Sequence, residues 1–294
     1  MNVLTFDIEE WYIEEIYYGG RKEKYAQFDC ILNQILQVLD EQNFKATFFC
    51  LGKMATNFPE IIKLIDKQGH EIGCHSDKHL WLNKHSKEVV KQDTCQAVDA
   101  LEQCIGKKML SYRAPAFSIG ENNLWVFEIL AYCGIERDSS IFPANRDFGG
   151  FSSFNEKVPT LVSYNGIEIK EFPIPTKNIF GKNMAYSGGG YFRFFPLSFI
   201  SKQLKNYPYS ITYFHVGDLL PEINKPMSKK AYEDYFKEKG TFLNRYKRYI
   251  KSNLGTLSAF NKMIELLKTD VFTNLAYADS SINWSQAPKV EFNY

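Results

Sequence analysis

Apolar residues in the first half of the chain follow two alternating rhythms. Short runs dense in β-forming residues, at 3–8 (VLTFDI), 46–52 (ATFFCLG) and 71–76 (EIGCHS), predict buried strands. Between them apolar residues recur at helical spacing: Ile31, Leu32, Ile35, Leu36 and Leu39 within 28–42, then Ile61, Ile62, Leu64 and Ile65 within 59–68, which opens on Pro59. A long helix over 86–104, a strand near 110–115, a helix near 121–133 and a strand near 135–141 continue the series. Repeated strand–helix units predict a parallel sheet, open or closed into a barrel.

The middle of the chain breaks this rhythm. Within 158–175, Asn165-Gly166 separates two alternating runs, the pattern of a hairpin with a two-residue type I′ turn. Neither arm could bury a core alone, so the hairpin reads as an insertion. Residues 187–195 (SGGGYFRFF) predict a glycine-rich loop carrying aromatics. A helix at 196–206 and a strand at 210–216 restore the alternation. Residues 225–268 read as mostly helical, and 271–277 as a closing strand. The expectation is one domain over 1–294, with its chemistry within 5–218 and a helical extension at 225–294.

Composition narrows the function classes. The chain has 294 residues, 45% of them apolar, so a large core is available and global disorder is excluded. The net charge of +1 argues against nucleic-acid binding by bulk electrostatics. Six cysteines lack any C-x-x-C pair and lie in apolar or helical stretches, so they read as buried free thiols of a reducing compartment. The N-terminus runs straight into a strand without a basic or apolar leader pattern, and no segment has the length of an apolar membrane span. A cytoplasmic location is expected.

Candidate chemistry gathers where strands end, the place at which parallel α/β architectures collect functional groups. Only five histidines occur, and His75 and His79 follow one strand at a spacing that lets one turn bring both imidazoles to a single metal ion. Asp7, Glu9 and Glu10 close the first strand; in extended backbone Asp7 and Glu9 share a side. Three clustered carboxylates are awkward to bury without a partner. Arg113, the Arg137-Asp138-Ser139-Ser140 run and His215 end three further strands. His70 precedes its strand and reads as structural, and His85 as a loop residue.

The order and spacing of these five segments resemble the NodB-like polysaccharide deacetylases (carbohydrate esterase family 4), in a cytoplasmic, polysaccharide-biosynthesis branch. The segments are Thr5-Phe6-Asp7-Ile8-Glu9, His75-Ser76-Asp77-Lys78-His79, Arg113-Ala114-Pro115, Asp138-Ser139-Ser140 and Phe214-His215. The resemblance implies a distorted (β/α)7-type barrel, here with the β-hairpin insertion and the helical C-terminal part. It implies a divalent metal, zinc first with cobalt or nickel fitting the same ligands, and removal of an N-acetyl group from an amino sugar of a polysaccharide, lipid-linked or nucleotide-linked precursor. The implied ligands are Glu9, His75 and His79, with Glu10 a rival to Glu9. Asp7 is the implied base, held by Arg113; His215 is the acid, oriented by Asp138; the Ala116 N–H assists the oxyanion. Pro115, Ala116, Tyr191, Trp11 and Trp81 are expected to contact substrate. Three motifs depart from the family pattern: Ile8 replaces the second Asp of the first, Ala116 an aromatic in the third, and Val216-Gly217 follow the last His where Pro and an aromatic are usual.

Two other readings use the same residues. One keeps the barrel and metal but takes a small non-sugar amide or ureide. The other is an inactive carbohydrate-binding relative, disfavoured because a binding module needs no acid–base pair. The 225–251 segment holds nine Lys/Arg against three acids, interleaved with aromatics. It reads as a solvated helix face, or as a basic surface for an anionic membrane or a diphosphate.

Overall fold

The computed structural model describes residues 1–146, 148–179, 181–220 and 226–292. Lys225, the first cation of the basic segment, lies outside them. Nine strands form one sheet: β1 (Asn2–Ile8), β2 (Thr47–Cys50), β3 (Glu71–Cys74), β4 (Ser111–Tyr112), β5 (Arg137–Asp138), β6 (Thr160–Tyr164), β7 (Ile167–Glu171), β10 (Ser210–His215) and β11 (Lys289–Phe292). A separate two-stranded ribbon pairs β8 (Thr176–Ile179) with β9 (Lys182–Ala185). The sheet order is β10-β1-β2-β3-β4-β5-β7-β6-β11. From β10 to β7 every neighbouring pair is parallel, which gives the seven strands that a (β/α)7-type barrel requires. Between β7 and β10 the wall is spanned by side chains, as where the Tyr209 hydroxyl donates to the Pro173 carbonyl (3.0 Å).

The period-two alternation of each strand divides two cores. Leu4, Phe6, Ile8, Phe48, Cys50, Ile72, Cys74, Tyr112 and Phe214 pack outward with the helices Lys22–Glu41, Pro59–Lys67 and Lys87–Ile105. Val3, Phe49, Phe172, Ile174, Ile211 and Tyr213 form a second cluster. Thr5 and Asp7 of β1, with Arg113 and Ser139 just past the ends of β4 and β5, lie alongside that second cluster and bond to one another.

Several expectations need correction. The Asn165-Gly166 hairpin forms, with φ of 49° and 80° as a type I′ turn demands, but it is no mere insertion: β7 pairs in parallel with β5 and so completes the seven-strand series. Residues 271–277 make one isolated bridge, Val3 to Thr273, and then enter the helix Leu275–Ser281. The closing strand is instead β11. The glycine segment carries a short helix, Gly189–Phe194. Cys30 is exposed, and the Sγ atoms of Cys95 and Cys133 lie 2.7 Å apart with both thiols free, so the cysteines are not uniformly buried. No helix among the described residues is long and apolar enough to cross a membrane.

Candidate active site and metal centre

Ladder register assembles the site. In the parallel pairing of β1 with β10, Asp7 stands beside His215, and in that of β3 with β4, Cys74 stands beside Tyr112, so His75 and Arg113 leave adjacent strands together. The His75 Nδ1 faces the Arg113 carbonyl at 2.7 Å. That contact makes Nδ1 the protonated nitrogen and leaves the Nε2 lone pair available as a ligand. The loop to His79 is bent, not helical. It is pinned by Asp93 of the helix Lys87–Ile105, whose carboxylate accepts from the N–H groups of Asp77 (2.9 Å) and Lys78 (3.2 Å). Ser76 (φ 70°) and His79 (φ 59°) both adopt left-handed backbone, a costly conformation for residues with a Cβ that this anchoring holds in place.

Glu9, His75 and His79 converge: each offers a ligand atom within 4.8 Å of the other two. The Glu9 Oε2 lies 3.4 Å from His75 Nε2 and 2.7 Å from His79 Nε2. Glu9 Oε2 and His75 Nε2 are buried, and no group outside this three-residue cluster serves them among the described residues. Burial alone would raise the Glu9 carboxyl; the adjacent His79, His75 and His215 outweigh it and hold it well below its ordinary value. One carboxylate and two imidazoles converging on one point suit a divalent ion of the zinc type. Glu10 turns away. Its Oε1 accepts from the Gly217 N–H (2.6 Å), and burial together with the Glu9 charge pushes its pKa up to about 7.

Asp7 and Arg113 form a buried pair, Oδ1 to NH1 at 2.8 Å. The same guanidinium donates to Thr5 Oγ1 (2.8 Å), the Ser139 carbonyl (3.2 Å) and Ser139 Oγ (3.0 Å), and lies over the Phe49 ring at 4.3 Å. The other Asp7 oxygen is 3.7 Å from His215 Nε2. His215 Nδ1 meets Asp218 Oδ2 at 2.9 Å. Burial would lower the His215 pKa, but the hydrogen bond and charge of Asp218, with Glu9 and Asp7 nearby, carry it well above its ordinary value.

Asp138 therefore does not orient His215. It accepts from Ser140 Oγ (2.5 Å) and stands in register beside Glu171. Burial raises both carboxyls; the Asp138 charge pushes Glu171 further up, while hydrogen bonding from Glu171 and Ser140 restrains Asp138, so the pair retains a proton, on Glu171. Asp218 was missed as a partner although it sits three residues after His215, a spacing that one turn closes.

A cleft of about 510 Å³ opens on Asp7, His75 and His215 and is lined by Ala116 and Tyr191, as expected. Pro115 is buried beneath it, with its carbonyl accepting from Ser118. Trp11 and Trp81 do not line it. Trp11 is buried against Phe28 with its indole N–H on Asp29 (3.0 Å). Trp81 is packed among Phe148, Tyr235 and Phe236. Core packing claims both rings. Tyr235, from the helix Lys229–Phe236, stacks on His79 at 5.5 Å and 8°. Arg146 and Arg248 add a basic wall to the cleft, Arg146 over Phe142 and Arg248 over Phe148. No local motif announces these three residues, since distant segments bring them in.

Comparison with known proteins agrees with this geometry. Residues 3–136 match the polysaccharide deacetylase family model, and residues 139–275 match a domain of unknown function, DUF3473. Two peptidoglycan-N-acetylglucosamine deacetylases of Bacillus cereus are 36% identical over 96 residues (32% of this chain, 35% of the relative) and 32% identical over 88 (30% and 41%). The chain thus spans well under half the length of these curated relatives. A crystal structure from Mycobacterium smegmatis, described as a candidate polysaccharide deacetylase, superposes with a TM-score of 0.64 at 16% identity, over 98% of this chain and 92% of that one. That likeness extends the shared fold through the DUF3473 segment. Residues 3–136, which hold Asp7, Glu9, His75, His79 and Arg113, therefore match the polysaccharide deacetylase family.

Proposed function

We propose that this protein is a metal-dependent hydrolase that removes the acetyl group from an N-acetylated amino sugar of a polysaccharide or of its lipid- or nucleotide-linked precursor. The observation that carries this reading is the convergence of the Glu9–His75–His79 donor set, which reaches the cleft through His75, with a carboxylate held by Arg113 and an imidazole held by Asp218. Those donors would hold a divalent ion, zinc foremost, which supplies Lewis-acid polarisation of the acetyl carbonyl and acidifies a water at neutral pH.

The chain's own groups divide the remaining work. Asp7 is the general base: Arg113 fixes one of its oxygens and leaves the other facing the cleft to take a proton from the attacking water. Ala116, in left-handed backbone (φ 55°), presents its N–H toward the oxyanion as the carbonyl becomes tetrahedral. His215, kept protonated by Asp218, gives its Nε2 proton to the departing amine as the C–N bond breaks. Acetate and a free amino sugar leave. The base–acid pair separates this reading from a binding module, which would have no use for it.

Metal analysis tests the donor set. The wild-type chain should hold about one divalent ion, Glu9→Ala, His75→Ala and His79→Ala should lose it, and Glu10→Ala should retain it. A Glu9→Ala variant with full metal content would overturn the assignment.

A further inference from the structure

The helix Phe242–Asn253 sits in the protein the wrong way round. A surface helix ordinarily buries its apolar arc and gives its charges to water. Here Phe242 is 71% exposed, Leu243 58%, Tyr246 44% and Ile250 48%, all on one side of the helix, and Leu254 and Leu257 extend the ridge at 61% and 87%. The protein-facing side carries Arg245, Arg248 and Tyr249 instead: Arg245 donates to the Met227 carbonyl (2.9 Å), and Arg248 stacks on Phe148 and Phe236. Phe194, 67% exposed, joins the same ridge, because the neighbouring Arg193 ties its helix to the Lys251 and Ser252 carbonyls. A contiguous apolar ridge of this size marks an interaction surface.

Charge selects the occupant. Residues 239–264 contain no Asp or Glu, whereas the helix alone carries Arg245, Lys247, Arg248 and Lys251. Lys247 is exposed beside the ridge, Lys251 is exposed one turn on toward the cleft, and Lys237 and Lys239 are exposed just before the helix. A second copy of the chain would set one acid-free basic helix against another, which like-charge repulsion disfavours. We propose that this ridge docks on an anionic phospholipid bilayer, with the apolar side chains entering the headgroup boundary and the lysines meeting lipid phosphates. Phe194 and Leu254 belong to both the ridge and the rim of the catalytic cleft, so docking brings the cleft mouth to the lipid surface. On the deacetylase reading, which the docking itself does not need, the substrate would then be an amino sugar presented from a lipid.

Flotation of the full chain with vesicles tests the proposal without any activity measurement. Vesicles of 70% phosphatidylcholine and 30% phosphatidylglycerol should capture at least about tenfold more protein than pure phosphatidylcholine at 0.1 M salt. Phe242→Ser with Ile250→Ser, both exposed and so compatible with folding, should lower capture about tenfold, and Lys247→Glu should lower it on its own. Circular dichroism melting confirms that each variant is folded. Wild-type protein left unbound by the anionic vesicles, or bound equally by the variants, would overturn the proposal. So would a solution dimer that Phe242→Ser with Ile250→Ser dissociates, since it would assign the ridge to a second copy.

Discussion

A guanidinium is costly to bury unless its donors all find acceptors. Arg113 makes four such bonds, to Asp7, Thr5, the Ser139 carbonyl and Ser139 Oγ, and they fix Asp7, the proposed base, in position. His215 is held in the same manner by Asp218. Asp218→Asn should therefore shift the alkaline limb of the pH–rate profile to lower pH by at least about a unit, whereas Asp138→Asn should leave that limb in place. An equal shift in both variants would return the orienting role to Asp138. His70 makes a separate prediction for stability. Its Nδ1 accepts the Ala46 N–H (3.3 Å), and burial lowers its pKa from 6.5 to about 4. The unfolded chain takes up that proton near pH 6.5 and the folded chain only near 4, so stability is full above 6.5 and falls toward pH 4, by a few kcal/mol in all. His70→Gln should flatten this part of the urea-unfolding profile against pH; an unchanged slope would refute it. Asp7, Glu9, His75 and His79, the proposed base and ligands, stand out in the sequence because they lie at or just after the ends of β1 and β3. Their partners do not stand out: Asp138 closes β5 and Asp218 follows β10, and only β-register shows that Asp138 faces Glu171.

At the level of elements, close packing under the site depends on one missing side chain. Gly73 of β3 is the register partner of Phe49, the ring beneath Arg113, and a Cβ there would come within 2.6 Å of that ring. Gly73→Ala should destabilise the fold by about 1–3 kcal/mol, read as a lower urea midpoint at unchanged slope. An unaltered midpoint would show that the ring moves freely. The strands and helices of the first half follow from their periodicity, and the type I′ turn follows from Asn165-Gly166 alone. What periodicity could not convey was partnership. The second arm of that hairpin joins β5, and residues 271–277 meet β1 at a single bridge, because tertiary neighbours decide which runs become ladder strands.

Across the whole molecule, the barrel gathers groups from residue 7 to residue 218 at one rim, and the C-terminal helices cover part of it. Tyr235 caps His79, and Arg248 reaches the cleft from the helix whose apolar side faces outward. The basic, aromatic character of 225–251 was visible in the sequence, but the side it presents was not, since helical spacing is the same whether an arc points in or out. The end opposite the rim is closed by a buried polar network, in which Arg137 meets Asp279 (3.0 Å) and Glu71 (3.4 Å) and Lys170 meets Asp279 (2.8 Å). Acetate release from a panel of oligomeric, nucleotide-linked and lipid-linked N-acetyl amino sugars, run with zinc-loaded wild type and with Asp7→Asn, tests the central claim most directly. The account predicts release by the wild type from at least one of them and a loss of about 10²-fold or more in the variant; no release from any of them, or release that survives Asp7→Asn, would contradict it.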